Sequence, residues 1–398
     1  MLGHRENLTD AKFDPADSQT INKKPIGPVI ARHLRFDKAE NAFQHLHEYR
    51  PELLGIPQVS ISDELADRIV TFTMSRSVSF CESGIGHYTR ASEAEHNSKG
   101  RRMKRGDFYG EETLVLENEH LRVEVLAAAG PRIVRVQLAG SSENVLAEVA
   151  DIGSDTPWGY YRLRGGHRLW FAPENPPITA APDEDGLIVE ERPRGLRLER
   201  LEPQSRLRKT IEIELATERA DMTVKHGLRN EGEETVEHAP WAITIMPFGG
   251  VAILPQQRGP IGDKEFLPNR TLTFWPYSSI LDSRLELGDE LVLVHGEPAP
   301  TPFKIGYLNR VGWVAYLRNG ILLRKGFDPQ PELKHPDLGS NAEVYCNDRI
   351  FELETLGPLS VLEPGAEAWH EERWQLRSVG SIKPGAKQIA AALAELDA

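Results

Sequence analysis

From Phe108 onward, apolar and polar residues alternate with a period of two, interrupted at short intervals by Gly, Pro, Asn and Asp. The stretch LVLENEHLRVEVLAAAGPRIVRVQLAG (114–140) holds alternating apolar runs broken by Ala-Gly-Pro, the pattern of half-buried strands joined by turns. Comparable runs follow over 186–202, 207–232, 238–248, 289–297, 311–327, 342–357 and 367–379. No amphipathic segment of helical length separates them, which excludes a parallel βαβ architecture and predicts an all-β domain, a large antiparallel β-sandwich. Upstream the period changes. Ala42, Leu46 and Tyr49 in a segment from Asp37, and Leu65, Ile69 and Phe72 in one from Ser62, predict two helices. Between Ser75 and Gly106 the chain is polar and Gly/Ser-rich, which predicts a linker or disordered segment. At the other end, Ile389, Leu393 and Leu396 predict a short helix. The expected organisation is an extension over 1–106, the β-domain over 107–378 and a short helical segment over 379–398.

Charge and composition sharpen that division. The chain of 398 residues is 39% apolar and 27% charged, ordinary for a globular protein. Its net charge of −13 argues against a protein devoted to nucleic acid. Residues 1–106 carry 16 Lys+Arg against 14 Asp+Glu, whereas the remainder carries 31 against 46. All seven tryptophans lie in the acidic part, and tryptophan serves both large cores and sugar sites. The cluster Arg101, Arg102, Lys104 and Arg105 reads as a solvated linker end rather than a nucleic-acid contact. Two cysteines form neither a disulfide framework nor a metal motif. The opening MLGHRENLTD has no apolar signal region, and no run reaches membrane-spanning length, so a cytoplasmic location with no membrane partner is expected.

Two segments are not explained by strand and turn alone. Residues 158–174 set Arg162, Arg164, His167, Arg168 and Glu174 among aromatic residues including Trp170, with Gly165-Gly166 permitting positive φ and close approach by a ligand. A sugar site needs flat aromatic faces for C–H surfaces and forked polar groups for hydroxyls. A twisted strand corner whose arginines pair with surplus carboxylates explains the segment equally well. In the second segment Glu352 and Glu354 are two apart, hence on one face of a strand, where mutual repulsion and desolvation would raise a pKa toward that of a working base. Two glutamates on a solvent face are the plainer alternative. Lys304, Asn309, Lys325, Asp337, Glu343 and Tyr345 are further candidates for that face, and His238 with Trp241 for a site wall. HExxH, paired CxxC, Walker and GxSxG motifs do not occur, so zincins, P-loop proteins and α/β-hydrolases have no support; a cation site of carboxylates such as Asp337, Glu343 and Asp348 lacks EF-hand spacing, and no metal is expected.

From about Glu117 to Leu376 the chain resembles the galactose mutarotase-like (aldose 1-epimerase-like) superfamily. GPRIVRVQLAG (130–140) resembles its opening strand pair, Arg164-Gly165-Gly166 its HGG or RGG turn, and residues 228–250 the strand bearing sugar contacts. Residues 351–357, followed by LSVLEPGAEAWHEERWQL, resemble the segment carrying the family's base. The resemblance implies a β-supersandwich with a shallow sugar groove and a small-molecule carbohydrate as partner. It further implies cofactor-free anomer interconversion, in which a glutamate takes the anomeric proton and a histidine protonates the ring oxygen. By position Glu354 is the base, with Glu352 second. The histidine-bearing strand motif is replaced here by Thr244-Ile245-Met246-Pro247-Phe248, which leaves His167 as the acid and His238 as its substitute. Arg164 and Arg168 would hold the anionic group of an acidic or phosphorylated sugar. The alternatives are a non-catalytic sugar-binding module and, behind it, a polysaccharide lyase or hydrolase.

Overall fold

The computed structural model describes residues 103–259 and 267–380, together with 388, 389 and 393. The helices predicted over 37–49 and 62–72, and the linker as far as residue 102, lie outside the described residues.

Period-two alternation becomes two large sheets, and every pairing among the described strands is antiparallel. The first sheet runs Lys104–Phe108, Glu111–Glu117, Leu121–Leu126, Arg132–Leu138, His167–Ala172, Val236–Ile245, Phe351–Leu356, Ala342–Cys346, Phe303–Tyr307 and Thr273–Phe274, with Ser360–Leu362 also paired to Val236–Ile245. The second runs Leu285–Glu286, Leu291–His295, Val251–Pro255, Trp313–Arg318, Ile321–Phe327, Glu367–Ser378, Asp221–Asn230, Leu207–Leu215, Gly195–Glu202 and Ile188–Arg192. A separate ribbon pairs Glu148–Thr156 with Gly159–Gly165.

The first strand starts within the basic cluster rather than after it. Lys104 and Arg105 belong to an edge strand and pair across it with Glu117 and Glu112. Residues 104–106, expected in the linker, thus begin an edge strand, and Lys104 and Arg105 form exposed cross-strand ion pairs.

The two sheets meet face to face over one continuous core that includes Leu121, Ile133, Phe171, Leu198, Val224, Leu323, Leu353 and Trp374. Each such aliphatic side chain contributes about 1.5–3 kcal/mol by leaving water. The central strand Phe351–Leu356 is buried at every position, so its alternate side chains serve two interiors. One interior is the core between the sheets. The other lies on the far face of the first sheet, where the 148–165 ribbon and loops from 173–180 and 275–277 stand over the strands and leave a cavity. At the end of the second sheet, the helical residues Ile389 and Leu393 pack on Val251, Ile253, Leu293, Ala315, Leu317 and Leu322. No helix among the described residues is long and apolar enough to cross a membrane.

Gly165 and Gly166 take positive φ, +91° and +69°. What approaches them is the protein itself: a Cβ would stand 2.1 Å from Ala147 O and 2.0 Å from Ile133 O. The pair is a joint that lets the chain leave the ribbon and enter the first sheet at His167, not a platform for ligand.

Candidate functional site

The strand His167–Ala172 divides the predicted site between the two interiors. Arg168 and Trp170 face the cavity, while His167, Leu169 and Phe171 face the second sheet. Val236–Ile245 and Phe351–Leu356 continue the same parity through their register, Ile243 opposite both Arg168 and Glu354, and Trp241 opposite Trp170. The next strands add Glu343 opposite Glu354, Tyr345 opposite Glu352, and Lys304 opposite Tyr345. Sheet register thus brings residues from five strands onto one face.

The cavity has a volume of about 460 Å³ and includes Trp170, Trp241, Trp275, Tyr277 and Tyr345 in its walls, a size within the range of small-molecule sites. Trp170 packs edge-on to Trp241 at 5.7 Å between ring centroids. Arg168 lies over the Trp170 ring and donates from Nη2 to Glu352 Oε1 at 2.8 Å, leaving its Nε and Nη1 buried without partners. Burial raises the Glu352 carboxyl above its ordinary value, against the opposing pull of Arg168. Glu174 stands at the rim of the cavity, its side chain open to solvent, and its pKa is also raised, chiefly by the loss of water around its carboxyl within the rim and against the opposing pull of Lys304.

Beneath this lining lies a second tier, joined to it by Lys304, which is itself in the cavity wall. Lys304 Nζ, held over Trp241 and Trp275, contacts Glu343 Oε2 at 2.7 Å and donates to Glu354 Oε2 at 3.0 Å. Trp241 Nε1 donates to the same Glu354 oxygen at 2.7 Å. Burial alone would lower the Lys304 pKa, but the two carboxylates reverse this and keep the ammonium charged. Burial drives the Glu343 carboxyl well above the ordinary range, and Asp337 is raised for the same first reason. Glu343 and Glu354 are both fully buried, so Glu352, not Glu354, presents a carboxyl to the cavity.

Several predicted site residues lie elsewhere. Arg164 has φ +57° and its guanidinium is consumed by Glu111, Asp183 and Glu184, as the strand-corner alternative required. His238 packs against Phe171 at 4.5 Å between ring centroids, on the core side of its strand. Asn309 serves a turn, its Oδ1 accepting from the Val311 and Gly312 amides and its Nδ2 donating to Trp313 O. His167 and Lys325 belong to a polar network sealed between the sheets. Trp275, Tyr277 and the ribbon residues Ile152 to Ser154 were not singled out from the sequence, since loops and an irregular ribbon carry no period-two signal. The Trp275-Pro276-Tyr277 cluster is the one local hint.

The buried network accounts for its atoms closely. His226 Nδ1 donates to His370 O at 3.0 Å, which leaves its Nε2 to accept from His167 Nε2 at 2.7 Å. His167 Nδ1 then accepts from Thr244 Oγ1 at 2.9 Å, and Thr244 accepts from Lys325 Nζ at 2.8 Å. Glu372 takes Lys325 at 2.7 Å and Thr355 at 2.5 Å on Oε1, and Trp374 at 2.8 Å on Oε2. These tautomers are assigned from hydrogen-bond accounting. Burial lowers the pKa of His167, His226 and His370, so all three stay neutral, whereas Lys325 holds Glu372 below the carboxylate range despite burial. Ligand atoms of His167, His226 and Glu372 lie within 4.8 Å of one another, as a metal would need, but the Lys325 ammonium already supplies the cation and both ring nitrogens of each of these histidines are occupied.

A larger depression of about 820 Å³ lies on the outer face of the second sheet around Trp369. Its charges pair along the exposed strands, Lys225 and Arg373 both with Glu371, and Trp369 is the lone tryptophan in its wall. Convergent aromatic and buried carboxyl groups distinguish the smaller cavity as the candidate site.

No protein-family model matches the chain. No curated protein matches it either. Among solved structures, a galactose mutarotase-like protein from Lactobacillus casei is 9% identical, with 67% of this chain and 100% of that one covered at a TM-score of 0.46. A candidate aldose 1-epimerase from Escherichia coli K12 is 13% identical, with coverages of 67% and 99% and a TM-score of 0.42. For a candidate mutarotase from Salmonella typhimurium the corresponding values are 11%, 71%, 95% and 0.45. Several solved structures to which this chain is similar are therefore aldose 1-epimerase-like or galactose mutarotase-like proteins.

Proposed function

We propose that the cavity on the first sheet binds a saccharide and interconverts its anomers by general acid/base catalysis. The observation that carries this reading is the joining, in one cavity, of three tryptophans and three tyrosines with the Arg168–Glu352 pair and Glu174. A pyranose offers C–H faces to aromatic rings and hydroxyls to forked or two-ended groups, and this lining meets both needs. Glu352, its basicity raised by burial, takes the proton of the anomeric hydroxyl, while Glu174, likewise raised, gives a proton to the ring oxygen. The ring opens, C1 rotates, and closure returns both protons with the roles reversed. The steps consume no cofactor, and a cytoplasmic sugar pool is the proposed source of substrate.

One observation favours a second reading, a saccharide-binding module without turnover: no imidazole lines the cavity among the described residues. Saturation-transfer NMR between anomers, across a panel of aldoses, separates the two. Catalysis predicts faster exchange with the protein and a loss of about 100-fold or more in Glu352→Gln. Binding seen by tryptophan fluorescence with unaltered exchange would establish the second reading, and no response to any saccharide would refute both.

A further inference from the structure

The charges around the cavity bear on which saccharide it takes, provided the cavity is a saccharide site as proposed above. Two cations belong to it, Arg168 and Lys304, and each already contacts a carboxylate. Five carboxyl groups surround them: Glu174 and Glu352 in the lining, Glu343 and Glu354 beneath it, and Asp337 beside Glu343. The arginine expected to hold an anion, Arg164, is spent on Glu111, Asp183 and Glu184. Two oxygens of the lower tier, Oε1 of Glu343 and Oε1 of Glu354, are buried without a hydrogen-bond donor, while Glu343 Oε2 faces the Lys304 ammonium.

Among the described residues, an incoming carboxylate or phosphate would thus meet no unpaired positive charge in the cavity. It would have to compete with Glu352 for Arg168 and with Glu343 and Glu354 for Lys304, at a separation and depth where like charges repel strongly. The free Nε and Nη1 of Arg168 can still donate to a hydroxyl or ring oxygen, which brings no charge. An ammonium group gains from the same field that an anion loses to, and Glu174 at the rim, together with Tyr277 and Tyr345, offers it carboxylate and aromatic faces. We infer that the cavity selects amino sugars over the matching neutral hexoses, and neutral hexoses over acidic or phosphorylated ones.

The test is titration of the full chain, by tryptophan fluorescence and calorimetry at pH 7.5 and constant ionic strength. The ligands are glucosamine and galactosamine, then glucose and galactose, then glucuronate, galacturonate and the hexose 6-phosphates. The amino sugars are expected to bind about three- to tenfold tighter than their neutral partners, with the acidic sugars weakest. In Asp337→Asn, which removes one surrounding carboxylate without touching the cavity lining, the amino-over-neutral ratio falls while neutral sugars still bind. Acidic sugars binding as tightly as neutral ones, or amino sugars no tighter than neutral ones, would overturn the inference while leaving the saccharide reading intact. Failure of every sugar to bind would instead remove the saccharide reading on which it rests.

Discussion

Replacing Lys325 by Met removes the only ammonium from the buried network and keeps most of the side-chain volume. Glu372 would retain the Thr355 and Trp374 donors but lose the cation 2.7 Å from its Oε1, and Thr244 would lose the donor that orients its hydroxyl toward His167. Lys325 and Glu372 are both fully buried, so water cannot replace the missing charge. Breaking one side of such a pair costs about 3–5 kcal/mol. At about 2–4 °C per kcal/mol for domains of 150–250 residues, that is a fall in Tm of about 6–20 °C. The double variant Lys325→Met/Glu372→Gln removes both charges and leaves an amide that still accepts from Trp374. It should return to within about 2 kcal/mol of the parent. Urea denaturation at pH 7.5, followed by tryptophan fluorescence and circular dichroism, reads all three proteins. A single variant within about 1 kcal/mol of the parent, or a double variant no better than the single, would refute the view of Lys325 and Glu372 as a mutually dependent buried pair.

The pH dependence of stability gives a second expectation. His370 has an ordinary value of 6.5 in the unfolded chain and is held at about 3 in the fold, first by burial, so the unfolded state alone gains a proton as pH falls through that window and stability is lost there at about 1.4 kcal/mol per pH unit. The raised carboxyls Glu343 and Glu352 titrate in the opposite sense, so the informative quantity is a difference: stability-against-pH curves of the parent and His370→Gln should diverge in slope between pH 6.5 and 4, and parallel curves would contradict it. Backbone geometry supplies a third. Gly166→Ala should cost about 3 kcal/mol or more, because φ is +69° and the new Cβ would collide with Ile133 O, whereas Gly140→Ala, at φ +79° with open space around it, should cost about 1 kcal/mol; equal losses in Tm would sink the argument. Trp241→Phe, which deprives Glu354 of its indole donor, should weaken saccharide binding measurably in the titrations described above without unfolding the sheet.

Much of the candidate cavity's lining was legible residue by residue, whereas His167 and Glu352, expected together, face different interiors. Trp170, Trp241, Lys304, Tyr345, Glu174 and Glu352 were recognisable because aromatic and charged residues at strand spacing are out of place in a plain sandwich, and they share the cavity or its lower tier. His167 was drawn into the same site by its nearness in sequence to Arg168. On a strand, adjacent residues face opposite ways, and here both faces are buried, so neither parity is marked by exposure to water. Arg164 was misplaced for a different reason: a positive φ just before the glycine joint turns it out of the strand pattern and toward Asp183 and Glu184.

The amino-acid sequence by itself determined the all-β class, the antiparallel arrangement and the common face of Glu352 and Glu354, since these follow from period-two alternation and short turns, which are local properties. It also marked the segment around Gly165 as exceptional. Only the tertiary structure decided which parity of each central strand lines the cavity and which enters the core. That choice depends on what covers each face: the 148–165 ribbon and the 275–277 loop on one side, and the histidine-bearing second sheet on the other. Ionisation was settled at the same level. Whether a lysine is a free cation or half of a buried pair depends on partners that stand 50 residues away for Lys304 and 47 for Lys325, brought together only by strand register and sheet packing.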